Sequence, residues 1–152
     1  MSTQQQNNDG DLKFERRYPL VYAALITIIS TTACLYLGNN PQLDNTILEA
    51  GITVASIIIG FNAIYRNTLQ TKISKTIQAI ENTSYMELYH SYLRAVTHTG
   101  LYFILASFII LFLSYNQQHH YITFNIWLFF AIHMTLCFYR ANNIDNRLFQ
   151  SK

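Results

Sequence analysis

Residues 95–115 read AVTHTGLYFILASFIILFLSY and contain no charged side chain. Wound as an α-helix at 1.5 Å per residue, this stretch is about 31 Å long, matching the roughly 30 Å hydrocarbon core of a bilayer. Outward from it, three more stretches have the same character. YPLVYAALITIISTTACLYL covers 18–37, TILEAGITVASIIIGFNAIY covers 46–65 with one acid near its start, and YITFNIWLFFAIHMTLCFY covers 121–139. A buried helix of a water-soluble protein can resemble one of these. Four of them in 152 residues leave too little polar chain to cover them.

Composition agrees. The chain is 51% hydrophobic and only 12% charged, about half the charged fraction of an ordinary soluble domain, roughly 25%. Unpaired backbone groups are costly in hydrocarbon, so each span is expected to be helical. The expected fold is all-α, an integral membrane four-helix bundle occupying 18–140, with a polar segment at 1–17 and a tail at 141–152. The net charge of +2 gives no electrostatic footprint for nucleic acid. The first residues, MSTQQQNNDGD, are low in apolar side chains and are expected to be mobile. Thr31-Thr32-Ala33-Cys34 only weakly matches a lipoprotein cleavage box, so the first span is read as an anchor.

The basic residues orient the chain. Lys13, Arg16 and Arg17 precede the first span; Arg66, Lys72, Lys75 and Arg94 lie between the second and third; Arg140, Arg147 and Lys152 follow the fourth. In a four-span topology all ten fall on one side, and the loops GNNPQLDN and NQQHH on the other side contain no Lys or Arg. The positive-inside rule puts both termini and the central loop in the cytoplasm.

No Gly or Pro interrupts residues 61–99. The second span is therefore expected to continue as a helix into the cytoplasm. A break follows at Asn82-Thr83, and Ser84 and Glu87 form a capping box that starts a helix leading into the third span. Residues 66–94 become a cytoplasmic helical hairpin extending spans two and three. Leu69, Ile73, Ile77 and Ile80 recur at spacings of four, four and three along its first arm. That face either docks a cytoplasmic protein partner or packs against Met86, Leu88 and Leu93 of the same chain.

Within the second span, Glu49, Thr53, Ser56, Gly60, Ala63 and Asn67 fall on one helical face at a period of 3.5. Two readings compete. In a homo-oligomer the stripe lines an aqueous pathway, with Glu49 as a cation-attracting ring at its outer mouth. Alternatively, the small side chains seat a neighbouring helix, and Thr46 with Glu49 caps the helix entrance. Ala23, Thr27, Ser30 and Cys34 form a comparable stripe in the first span, as do Gly100, Ser107 and Ser114 in the third. The fourth span, rich in Phe and carrying Trp127, reads as a bulky outer helix facing lipid.

His98 and His133 are expected near the same depth of adjacent spans, which suits a proton-linked pair or a bis-histidine haem. The plainer state is a histidine bonded to a hydroxyl such as Thr97, Thr99 or Thr135. His119 and His120 in the outer loop, and His90 in the hairpin, read as solvated. Cys34 and Cys137 lie near opposite membrane faces, too far apart for a disulfide, and two cysteines supply no metal site. No phosphate loop, zinc-protease helix or nucleophile elbow occurs, so no catalytic residue, cofactor or enzymatic activity is expected.

The short basic N-terminal region, the Ala/Gly/Ile-rich second span (AGITVASIIIGFNAIYRN), the basic hairpin without a separate domain and the polar tail after FYRANNIDNR together resemble the RexB-like small four-span membrane effectors of bacterial phage exclusion and abortive infection. The resemblance is architectural and covers most of the chain. It implies an oligomeric, channel-like effector that perturbs membrane potential once a cytoplasmic partner signals infection. It transfers no individual functional residue.

Overall fold

The computed structural model describes residues 3–38, 43–71, 84–113 and 120–150. They form four helices, α1 (Thr3–Tyr36), α2 (Asn45–Thr71), α3 (Ser84–Leu113) and α4 (His120–Gln150). Each contains a segment long and apolar enough to cross a membrane: Arg17–Tyr36, Asn45–Tyr65, Met86–Phe112 and Ile122–Ile144. The all-α, four-span architecture is as expected.

Local chemistry sets the helix ends. Gly38 takes the left-handed φ of 65° just after α1, and its N–H donates to the Leu35 carbonyl, so the chain turns away. Asp44 caps α2: its carboxylate accepts the Thr46 N–H at 2.6 Å and its carbonyl accepts the Leu48 N–H at 3.1 Å. The cap expected from Thr46 and Glu49 is thus provided by the residue preceding the helix. α3 starts at Ser84, where the capping box put it. At the other end of the chain, α1 begins at Thr3, so the polar segment expected to be mobile continues the first helix.

Hydroxyls along the helices bond backward to their own backbone. Thr27 donates to the Ala23 carbonyl at 2.8 Å, Ser107 to Phe103 at 2.9 Å and Thr135 to Ala131 at 2.8 Å. In an apolar solvent this satisfies each hydroxyl without help from another helix.

The helices pack in a skewed arrangement. α3 and α4 form the most extensive pair; α2 flanks α3, α1 flanks α4, and among the described residues α1 and α2 do not meet. The fourth helix, read as an outer element, is thus half of the central pair. Its bulky residues fill that seam: Trp127 Nε1 donates to the Ser107 hydroxyl at 3.0 Å, and its ring lies 5.0 Å from that of Phe103. Gly51 and Gly100 allow this closeness. A Cβ on Gly51 would lie 2.9 Å from Trp127, and one on Gly100 would lie 2.8 Å from Ile59.

Between 11% and 33% of the residues in each span's most apolar stretch are buried by the rest of the chain. The accessible surface is 10,976 Å², against about 7,900 Å² for a soluble monomer of this mass. Leu20, Ile28, Ile29, Ile64, Leu105 and Phe112 are all more than half exposed. Such a surface requires an apolar surrounding, and lipid bilayer association follows from it.

Candidate functional site

The stripe on α2 is displayed rather than packed. Glu49, Thr53, Ser56, Gly60, Ala63 and Asn67 are all exposed, and a Cβ on Gly60 would meet nothing within 4 Å. Leu48, Ala55 and Asn62, on the opposite part of the helix, are wholly buried. The reading in which the stripe seats another helix of the same chain is therefore not met. The corresponding residues elsewhere do turn inward. Ala23 and Thr27 are buried on α1, and Gly100 and Ser107 on α3; Ser114 lies outside the described residues. The three small-residue stripes look alike in sequence and differ in placement because α2 flanks the central pair on one side only.

The stripe is polar without an immediate demand for water. Thr53 donates to the Glu49 carbonyl at 2.9 Å and Ser56 to the Ile52 carbonyl at 2.8 Å. Both hydroxyls keep acceptor capacity for an outside donor. Glu49 stands in the second turn of α2, about 6 Å from its start.

The histidine pair is not assembled. His98 is exposed on α3, whereas His133 sits in the α3–α4 seam with Nδ1 3.0 Å from the Thr99 hydroxyl and Nε2 3.8 Å from Cys137 Sγ. Phe129 stacks on it, with interplanar angle 10°. Both ring nitrogens of His133 are turned toward α3 and α4 neighbours, so the two histidines offer no shared axial site. Among the described residues no three His, Cys, Asp or Glu side chains gather to hold a metal.

The hairpin face divides. Leu69 lies on α2, and Ile73, Ile77 and Ile80 lie outside the described residues. The other arm is core: Met86, Leu88, Tyr89, Tyr92 and Leu93 are each 5% exposed or less and join one cluster with Met134, Cys137 and Ala141. The apolar run of α3 accordingly begins at Met86, nine residues before the expected span.

Two polar contacts were not anticipated from sequence. Asn62, wholly buried, donates through Nδ2 to the Leu93 carbonyl and the Thr97 hydroxyl, both at 2.7 Å, tying α2 to α3. Its Oδ1 has no hydrogen-bond partner. Second, Pro19 interrupts α1, leaving the Glu15 carbonyl without its N–H donor from four residues on, and the buried Tyr92 hydroxyl donates to that carbonyl. A lone Asn off the stripe register and a proline inside a span were the only sequence signals for these sites.

With this geometry the chain is an all-α bundle of four helices, each long and apolar enough to cross a membrane. No protein-family model, curated protein or solved structure matches it.

Proposed function

We propose that the protein is a nonenzymatic, homo-oligomeric membrane effector in which copies meet through the outward face of α2 and conduct ions along the axis they share. The observation that carries this reading is the exposure of the whole Glu49–Asn67 stripe, and of Gly60 in particular, on the outside of a bundle in which Ala23, Thr27, Gly100 and Ser107 face inward. Four packed helices enclose no aqueous route by themselves, so conduction requires several copies. The gathered basic residues support an orientation with both termini and the 66–94 segment on the cytoplasmic side, and the resemblance implies the bacterial inner membrane. The resemblance to RexB-like effectors adds the role: depolarisation in anti-phage defence, on a cytoplasmic trigger.

A specific observation favours a second reading, a nonconducting scaffold. α2 continues six residues beyond its apolar span, to Thr71, and in sequence leads into the segment that carries Ile73, Ile77 and Ile80. In that case Ile73→Asp with Ile77→Asp releases a partner while insertion persists.

The experiment has two parts. Gly60→Cys, placed in a chain with Cys34 and Cys137 replaced by Ala, should form disulfide-linked dimers in membranes under mild oxidation, whereas Leu20→Cys on α1 should not. Reconstituted liposomes should then leak cations, and Thr53→Leu with Ser56→Leu should suppress the leak at equal protein content. Absence of Gly60→Cys dimers removes α2 from any subunit contact; dimers with no leak leave the scaffold.

A further inference from the structure

The α1–α4 seam holds an open groove of about 360 Å³, lined by Ala24, Thr27 and Ile28 of α1 and Asn125, Ile126, Phe129 and Phe130 of α4. Beside it, the Thr31 hydroxyl donates to Asn125 Oδ1 at 2.5 Å, joining α1 to α4. The groove opens outward, into what the apolar surface of the spans identifies as lipid.

The seam carries an arginine from each helix at its other end. Arg17 lies seven residues before Ala24, and Arg140 lies fourteen after Ile126. Residues seven apart return to the same side of a helix packed at a 3.5-residue period, so each arginine lies on the side of its helix that lines the groove. The two helices run antiparallel, and their ends meet where the Arg140 guanidinium stands 4.2 Å over the Tyr18 ring. That cation–π contact leaves the guanidinium edge and its N–H donors available. Among the described residues no carboxylate pairs with Arg17 or Arg140. From the arginine level, Ala24 lies about 10 Å along α1 and Phe130 about 15 Å along α4. The lining continues to Ile28, about 16 Å along α1, and Ile126, about 21 Å along α4, so the groove begins within the roughly 15 Å half-thickness of the hydrocarbon core and runs past the midplane.

We propose that this seam binds one anionic phospholipid, its phosphate held by Arg17 and Arg140 and one acyl chain lying in the α1–α4 groove. Two cations at the headgroup level select a net negative headgroup over a zwitterionic one. The planar forks of the guanidinium groups suit phosphate oxygens. Tyr18 and Tyr22, with ring centroids 4.0 Å apart and planes tilted by 34°, form the aromatic flank that interfacial sites commonly carry. Bound there, the lipid fills the gap between the flanking helix α1 and the central pair.

Native mass spectrometry of the full chain in mild detergent tests this, with equimolar dioleoyl-phosphatidylglycerol and dioleoyl-phosphatidylcholine, and separately with glycerol phosphate. The expected result is one phosphatidylglycerol per chain, retained at collision energies that strip phosphatidylcholine, and no retained glycerol phosphate. Arg17→Gln with Arg140→Gln should lower that retention at least fivefold, and Ala24→Phe, which fills the groove, should do the same. If the loss of Arg140 prevents folding, Arg17→Gln alone carries the headgroup arm, since Arg17 is exposed, and should lower retention at least twofold. Equal retention of the two lipids means a nonspecific annulus and overturns the proposal. Retention of glycerol phosphate alone, or unchanged binding in Ala24→Phe, overturns it equally.

Discussion

Replacing Tyr92 by Phe removes one oxygen from the molecule and tests why a proline is tolerated inside a membrane helix. Pro19 is less than 2% exposed, and Tyr92 is 3% exposed on α3. The Tyr92 hydroxyl donates to the carbonyl of Glu15, the acceptor that Pro19 deprives of its own helical donor. An intramolecular hydrogen bond contributes about 0.5–1.5 kcal/mol net, and leaving a buried partner unsatisfied costs about 1–3 kcal/mol. Glu15 is half-buried, so Tyr92→Phe should destabilise by about 1–2 kcal/mol. In the Pro19→Ala background the helix regains its N–H, the Glu15 carbonyl has a donor again, and the same change should cost under about 0.5 kcal/mol. The coupling, about 1 kcal/mol, is free of whatever Pro19→Ala does to helix shape by itself, because that effect appears in both arms of the cycle. Equilibrium unfolding of all four chains in mixed micelles, followed by circular dichroism against the mole fraction of sodium dodecyl sulfate, measures it. An equal penalty for Tyr92→Phe in both backgrounds would refute the reasoning, because the hydroxyl would then be serving something other than the proline gap.

Three further predictions use the same unfolding assay. Gly100→Ala should destabilise by about 1–3 kcal/mol, since its Cβ would meet Ile59 at 2.8 Å and Met134 Sδ at 3.2 Å. Gly60→Ala, with nothing within 4 Å, should leave the detergent-dispersed monomer unchanged or more stable by up to about 1 kcal/mol, the helix-propensity difference. Trp127→Phe should lose about 1 kcal/mol with the bond to Ser107, in addition to the lost ring packing, and Ser107→Ala should lower its penalty by about that 1 kcal/mol. Full additivity of Trp127→Phe and Ser107→Ala would count against the bond.

The spans and the Ser84 helix start were legible in sequence because hydrophobic length and capping chemistry are local. The order of packing was not. In a membrane the side chains facing lipid are as apolar as those facing a neighbouring helix, so Ile57 on the exposed face of α2 and Ile58 against the core look the same in a sequence. Hence Trp127 and its neighbouring phenylalanines suggested an outer helix, although their size is what fills the space left by Gly51 and Ser107. The segment around Tyr89 and Tyr92 read as a helical arm outside the membrane because Glu87, His90 and Arg94 punctuate it; those three are exposed while Leu88, Tyr89, Tyr92 and Leu93 between them are core. The candidate site was legible as a stripe. Its direction was not, because direction depends on which helices α2 lacks as neighbours.

That direction bears on whether the α2 face is built for lipid or for another copy. The Thr53 and Ser56 hydroxyls are already bonded within the helix, and Glu49 is one turn from its start, so none of the three compels the face to leave a bilayer. Gly60 is different. A glycine in the middle of a helix costs about 1 kcal/mol relative to alanine, and Gly51 and Gly100 offset that cost with contacts a methyl group would obstruct. Gly60 makes no such contact within its own chain, and lipid, which yields to a methyl group, supplies none. A second helix approaching at backbone distance does, since small residues are what allow membrane helices to close to such range. Along α2 the nearest stripe neighbours of Gly60 are Ser56 and Ala63, so the closest approach of two copies falls between them and the wider part toward Glu49. An assembly joined there is narrowest near Gly60 and opens toward the acidic end. Bulky substitution at Gly60 should therefore abolish the assembly, whereas substitution at Thr53 should change only what passes through it.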